Sequence, residues 1–144
     1  MLLDCQLVFF LKFIIILLTM KTKISRNIPV VNLETGLPTV DVAKRKLKTI
    51  IDNNNHKGQN KDPFITIIHG WGSTDAGGGR LRVGLRRCLA EMKGQKTIKN
   101  FIPGEDFKKG NPLIEELKGR FKYITQDQYF GRENWGITVV VFNK

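Results

Sequence analysis

The sequence predicts an α/β fold of the α+β two-layer sandwich type, a mixed sheet with helices packed on it in the order β-α-β-α-β-(α)-β. Short apolar, β-branched runs alternate along the chain with segments whose apolar residues recur at helical spacing. Such alternation is typical of a mainly parallel or mixed sheet covered by helices. A length of 144 residues, 41% of them apolar, suits one domain with a proper core.

The first half of this order is β-α-β. Residues 28–33 form a β-prone run that ends in a turn, which predicts the first strand. Thr39 is suited to cap a helix that runs to about Asp52, because apolar residues recur from Val40 onward at helical spacing. Residues 64–68 are apolar enough to predict a strand buried on both faces.

The second half predicts α-β-(α)-β. Residues 80–94 carry one apolar stripe, which indicates an amphipathic helix. A strand is expected within residues 97–104. Asn111 as a cap with Pro112 in the first helical position predicts a short helix. Residues 136–142 read GITVVVF and give the clearest strand in the chain.

Residues 1–19 form a separate hydrophobic segment before the single domain of residues 20–144. Residues 7–18 are apolar except for Lys12, and this run is short for a membrane span. Three interpretations stay open: an anchor that contacts the membrane, a signal segment, or a true start at Met20. We favour the start at Met20, with a cytoplasmic protein as its consequence.

The charge is strongly positive, and its distribution is uneven. The chain carries a formal net charge of +11, and residues 20–103 hold 16 Lys and Arg against 6 Asp and Glu, a net of +10. Such a balance predicts a polyanionic partner, either nucleic acid or an anionic membrane surface. Cys5 and Cys88 have no paired spacing, so neither a disulfide framework nor a zinc site is predicted, and a reducing compartment fits.

The stretch FITIIHGWGSTDAGGGR, residues 64–80, runs from a predicted strand into a lone histidine and a glycine-rich loop. A strand, a glycine loop and a helix in succession often bind phosphate through backbone amides and the helix dipole. The P-loop pattern is missing, and the dinucleotide fingerprint fails at Asp75. A phosphate-binding loop of another kind is therefore expected, with Gly78 and Gly79 leading into the helix.

Four arginines follow this loop on the predicted helix. Arg80 and Arg87 are two turns apart, and Arg82 and Arg86 form an i, i+4 pair, so together they are expected to line one polar side of the helix. Guanidinium groups suit phosphate oxygens because they donate bidentate hydrogen bonds and keep their charge. The alternative is a solvated helix face.

The stretch ITIIHGWGS, the glycine run, the basic helix and IKNFIPGEDF together resemble the Smr (small MutS-related) domain family over about residues 28–142. The HGxG signature of that family falls on His69, Gly70, Trp71 and Gly72. The closing GRENWGITVVV also resembles the end of a longer Smr variant.

The resemblance implies a fold similar to the C-terminal domain of translation initiation factor three. It also implies binding of DNA or RNA, a nicking endonuclease activity as in several members, and a setting in DNA repair. Members often carry an L-D-x-H motif on the first strand, whereas this chain has Val31-Asn32-Leu33-Glu34. This departure favours the alternative, a non-catalytic module that binds DNA, RNA or a ribonucleoprotein.

For cleavage, His69 is the expected acid or base because an unperturbed imidazole titrates near neutrality. Glu34 is expected to orient His69 or to help hold Mg²⁺ or Mn²⁺. The alternatives are a structural histidine and a turn-forming glutamate. The residues predicted to bind nucleic acid are Gly70, Trp71, Gly72, Gly78, Gly79, Arg80, Arg82, Arg86 and Arg87. A third reading, a peripheral protein on anionic lipid, uses residues 7–18 with the basic face.

Overall fold

The computed structural model describes residues 2–19, 26–72 and 79–144. Its helices are α1 (Leu2–Thr19), α2 (Val40–His56), α3 (Arg80–Gly94) and α4 (Pro112–Leu117). Its strands are β1 (Val30–Asn32), β2 (Phe64–Ile68), β3 (Asn100–Pro103) and β4 (Ile137–Val141). Short 3-10 turns lie at Gly58–Asn60, Gly104–Asp106 and Lys122–Gln126.

The four strands form one mixed sheet in the order β1-β2-β4-β3. β1 runs parallel to β2, and β4 runs antiparallel to both β2 and β3. Thr66 lies opposite Val30 on one side and Val139 on the other, so β2 and β4 form the centre. The predicted α/β fold with a mixed sheet is confirmed.

Side chains of alternate residues in the central strands β2 and β4 pack into two separate hydrophobic cores, one on each face of the sheet. Ile65, Ile67 and Val140 point to one face, where α2 and α3 pack against each other and against the sheet. Phe64 and Val139 point to the other face, which is covered by α4, the 3-10 turn at 122–126 and the segment around Phe107. Burial of β2 and β4 on both faces explains why their sequences are almost continuously apolar.

The predicted caps are present. The Thr39 hydroxyl accepts from the Val42 amide, and the Asn111 side chain accepts from the first amides of α4. Helix α2 continues four residues past the expected end at Asp52. Its last turn carries Asn54, which is buried and exchanges two hydrogen bonds with the backbone of Asp62. This pairing satisfies a buried polar side chain that lies beyond the predicted end of the helix.

The described part of the hydrophobic segment, residues 2–19, forms α1, and neither core contains any of its described side chains. Phe9 and Phe10, for example, are 77% and 67% exposed. Among the described residues, no helix combines the length and apolar character needed to cross a bilayer. Met20, the expected alternative start, lies outside the described residues.

Candidate functional site

A cleft of about 460 Å³ opens at the edge of the sheet where the parallel strands β1 and β2 end. Helix α3 begins at the same edge. The cleft is lined by Glu34, Leu37, His69, Trp71, Gly72, Gly79, Arg80 and Leu81. Six of these eight residues are among those predicted from the sequence to bind or react with a ligand. Gly78, also predicted, lies outside the described residues.

Glu34 reaches the cleft because of the turn that follows β1. The Asn32 side-chain oxygen accepts hydrogen bonds from the amides of Glu34, at 2.8 Å, and Thr35, at 3.2 Å. This turn lays the Glu34 carboxylate against Gly70, where a Cβ atom would lie 2.6 Å from Glu34 Oε1. Gly70 also has φ +74°, a backbone conformation that favours glycine, whereas the exposed end of the Glu34 side chain is free to move away from a Cβ atom.

The backbone of His69 and Gly70 is tied to β4. The amides of both residues donate to the carbonyl of Gly136, at 3.0 and 3.1 Å. Gly70, which is among the residues predicted to bind nucleic acid, thus has its amide engaged inside the protein. Gly70 shapes the cleft by permitting the turn beneath Glu34.

The His69 side chain is buried, with an exposed fraction of 2%. Its Nδ1 lies 2.9 Å from the Gly70 carbonyl oxygen, and its Nε2 lies 2.9 Å from the Thr138 hydroxyl. The Gly70 carbonyl oxygen can only accept, so His69 Nδ1 carries the ring proton and donates it to Gly70. In the neutral ring Nε2 then accepts from the Thr138 hydroxyl, whose oxygen also accepts from Arg86 Nε.

This environment keeps His69 neutral. Burial lowers the pKa of its imidazole from 6.5 to about 4, and the charges of Arg86 and Arg82 act in the same direction. Both ring nitrogens have partners within the protein. The geometry matches the structural alternative for His69, a ring that connects the glycine turn to β4.

Arg86 is the centre of the same network. Its guanidinium donates two hydrogen bonds to the carboxylate of Glu105, at 2.7 and 2.8 Å, and one to the Ile137 carbonyl at 3.2 Å. Both side chains are only 17% exposed. Burial raises the pKa of the Glu105 carboxyl, but the hydrogen bond and charge of Arg86 outweigh burial and hold this pKa below its usual range. Arg86 was expected beside Arg82 on a ligand-facing surface, and the structure instead turns its guanidinium toward β4 and Glu105.

The other three arginines of α3 remain near the surface. Arg80 and Arg87 are exposed, and among the described residues neither has a carboxylate within 4 Å. The guanidinium of Arg82, a partly buried residue, lies 5.6 Å from the centre of the Trp135 ring. These three side chains keep the predicted capacity to contact phosphate.

Comparison of the chain with models of known protein families, with characterised proteins and with solved structures finds no match.

The described residues alone do not form a ready-made site for a divalent ion. They contain no group of three His, Cys, Asp or Glu side chains placed to share a metal. Glu34 is the single carboxylate among the described cleft residues, and Glu105 is already held by Arg86. Mg²⁺ is usually bound by one or two protein carboxylates together with substrate phosphates and water. Glu34 could therefore supply one ligand to an ion that a bound phosphate also holds, and the described cleft residues offer no second free carboxylate.

Three residues that shape the site are not among the predicted site residues: Thr138, Glu105 and Trp135. Thr138 had a detectable signal, since it is a hydroxyl inside the apolar run ITVVV. Glu105 reaches the site through the pairing of β3 with β4, and Trp135 reaches it through the pairing of β4 with β2; both pairings bring distant parts of the chain together.

Proposed function

We propose that this chain is a nucleic-acid-binding domain of the Smr type that grips DNA or RNA at the cleft without cutting it. The observation that carries the proposal is the meeting of Gly72, Gly79 and the exposed Arg80 at the first turn of α3, on a chain with a net charge of +11. The first amides of a helix lack intrahelical partners and favour an anion.

The arginines of α3 supply the charge beside this turn. Arg80, Arg82 and Arg87 are the three candidates for direct phosphate contact, while Arg86 contributes indirectly by holding Glu105 and β4. The sequence resemblance to the Smr family agrees with a nucleic-acid partner. Its departure at Asn32 and Glu34 agrees with a module that binds and does not cleave.

The state of His69 supports the same choice. A general acid or base works best when its pKa lies near the working pH and when a nitrogen faces the substrate. His69 has a pKa of about 4 and hydrogen bonds on both nitrogens. A contribution through the fold, by fixing the Gly70 turn, is the role that these contacts support.

Binding is tested by fluorescence anisotropy with labelled DNA and RNA over a range of salt concentrations. If Arg80, Arg82 and Arg87 neutralise three phosphates, the log–log salt slope for duplex DNA is about −3. The double variant Arg80→Ala/Arg87→Ala should bind every sequence more weakly and bring the slope to about −1.

A matched control removes two positive charges at the opposite edge of the sheet. Lys57 follows α2, and Lys122 begins the 3-10 turn whose neighbour Phe121 packs edge to face with Phe64, the first residue of β2. Both lysines are exposed. Lys57→Ala/Lys122→Ala should leave the slope near the wild-type value. If the two double variants weaken binding equally, positive charge acts without a defined site. If the wild type does not bind nucleic acid at low salt, the proposal is wrong.

Cleavage is tested separately with supercoiled plasmid and structured RNA, in Mg²⁺, in Mn²⁺ and with a chelator. We expect no metal-dependent nicking. Nicking by the wild type that is lost in a folded His69→Ala variant would replace the binding proposal with the catalytic alternative.

A further inference from the structure

The only two tryptophans of the chain come to the same edge of the sheet, where Trp71 lines the cleft. Trp71 is 62% exposed and Trp135 is 44% exposed, although indole rings of this size are usually well buried. They come from different parts of the chain, one after β2 and the other before β4. The antiparallel pairing of Ile68 with Ile137 brings them to the same edge.

Close packing against glycine backbone positions Trp71 and Arg82. A Cβ atom on Gly136 would lie 2.9 Å from Trp71 Cδ1, so the indole edge rests on the residue next to Trp135. A Cβ atom on Gly79 would lie 3.0 Å from the Trp71 carbonyl oxygen and 3.1 Å from Arg82 Cζ. Two glycines thus let the Trp71 indole and the Arg82 guanidinium approach the backbone closely.

Arg82 adds a positive charge to the aromatic surface. Its guanidinium lies over the Trp135 ring at 5.6 Å, which is the geometry of a cation–π contact. The exposed Arg80 lines the same cleft as Trp71. This edge therefore presents exposed indole surface for a flat group to stack on, with cations beside it for phosphates.

We propose that Trp71, Trp135 and Arg82 form a stacking platform for unpaired nucleobases, so that the domain selects single-stranded over duplex nucleic acid. This inference rests on the proposed function and deepens it. Aromatic side chains beside a cationic groove bind single strands because each base offers a face for stacking, whereas bases in a duplex are already stacked on each other. Complementary charge favours a polyanion over an apolar protein partner.

The two tryptophans make the test direct, because all indole fluorescence of the chain comes from the platform. The full chain is titrated with oligo(dT), with oligo(U), with a duplex of the same length and with inorganic polyphosphate. We expect strong quenching by the single strands, weak quenching by the duplex and none by polyphosphate, which carries charge without bases.

Variants separate stacking from charge. Trp71→Ala and Trp135→Ala should each weaken single-strand binding about 5- to 150-fold, the range for losing one stacked base, and should change duplex binding less than threefold. Trp71→Phe should recover part of the loss. Because both rings are exposed, these variants should keep the wild-type circular dichroism, and the Phe variant provides a second measurement if an Ala variant misfolds.

The failure of this inference differs from the failure of the proposed function. Single-strand binding without quenching, or equal losses for single strand and duplex in the tryptophan variants, overturns the platform and leaves nucleic-acid binding in place. Quenching by polyphosphate to the same extent also overturns it. Fluorescence that changes with protein concentration alone would assign the tryptophans to self-association. Absence of binding to every nucleic acid by the folded protein overturns both.

Discussion

Arg86 and Arg87 are neighbours on α3, and the structure predicts opposite consequences for their loss. Arg86→Ala removes a guanidinium that makes four hydrogen bonds, two to Glu105 and one each to Thr138 and Ile137. It leaves the Glu105 carboxylate without its cation. Arg87→Ala removes an exposed side chain of the same type from the next position.

The expected cost of Arg86→Ala follows from burial. Breaking a fully buried ion pair by removing one partner costs about 3–5 kcal/mol. The side chains of Arg86 and Glu105 are each 17% exposed, so water can solvate part of the Glu105 carboxylate after Arg86 is removed. We therefore expect Arg86→Ala to lower the free energy of unfolding by about 2–4 kcal/mol. With a urea m-value of about 2 kcal/mol/M, the unfolding midpoint should fall by about 1–2 M.

The assay is urea denaturation followed by circular dichroism, with nucleic-acid affinity measured on the same samples. Arg86→Ala should lose stability and, while folded, keep most of its affinity, whereas Arg87→Ala should keep its midpoint and bind more weakly. Arg86→Lys keeps the charge but not the planar fork, so its midpoint should lie between those of the wild type and Arg86→Ala. Equal midpoints for Arg86→Ala and Arg87→Ala would refute the assignment of Arg86 to the interior network.

Two further predictions concern pH and the first helix. The pKa of His69 is about 4 in the folded chain and 6.5 in ordinary surroundings, so the imidazole is protonated in the unfolded chain before it is protonated in the folded chain as pH falls. The free energy of unfolding therefore keeps its full value above pH 6.5 and declines by up to about 3 kcal/mol toward pH 4. His69→Gln should flatten this window in urea titrations, and a pKa near 6.5 for His69 by NMR would contradict its buried neutral state. Glu105 adds its own loss only below the ordinary pKa of 4.5, since its folded pKa is lowered. Deleting residues 1–19 should leave the urea midpoint and nucleic-acid affinity unchanged, because neither core includes described α1 side chains; an aggregated product would show that α1 covers part of the domain.

The fold was predictable because burial imposes a periodicity on each element. Leu85, Cys88, Leu89 and Met92 are buried along one side of α3, as their spacing indicates, and residues 64–68 form a strand over the predicted range. These signals are local, since each comes from one stretch of sequence facing one core. The same holds for the caps at Thr39 and Asn111.

The contacts within the site were less predictable because they join distant positions. Arg86 and Glu105 are 19 residues apart, and His69 and Thr138 are 69 apart, so no spacing rule connects them. Only the order of the strands brings them together. The sequence could indicate that Arg86 was basic and on a helix, but the direction of its guanidinium depends on the position of β4.

The site consequently has two layers with different chemistry. The inner layer, made of His69, Thr138, Arg86 and Glu105, satisfies its own charges and hydrogen bonds and ties β4 to the glycine turn. The outer layer contains two arginines and two tryptophans whose side chains are exposed to solvent: Arg80, Arg87, Trp71 and Trp135. Charge that is already paired inside the protein gives little attraction for a polyanion, so affinity should depend on the outer layer. The inner layer should act by holding the turn at Gly70 in place. Disruption of this layer should therefore lower the free energy of unfolding before it weakens nucleic-acid binding.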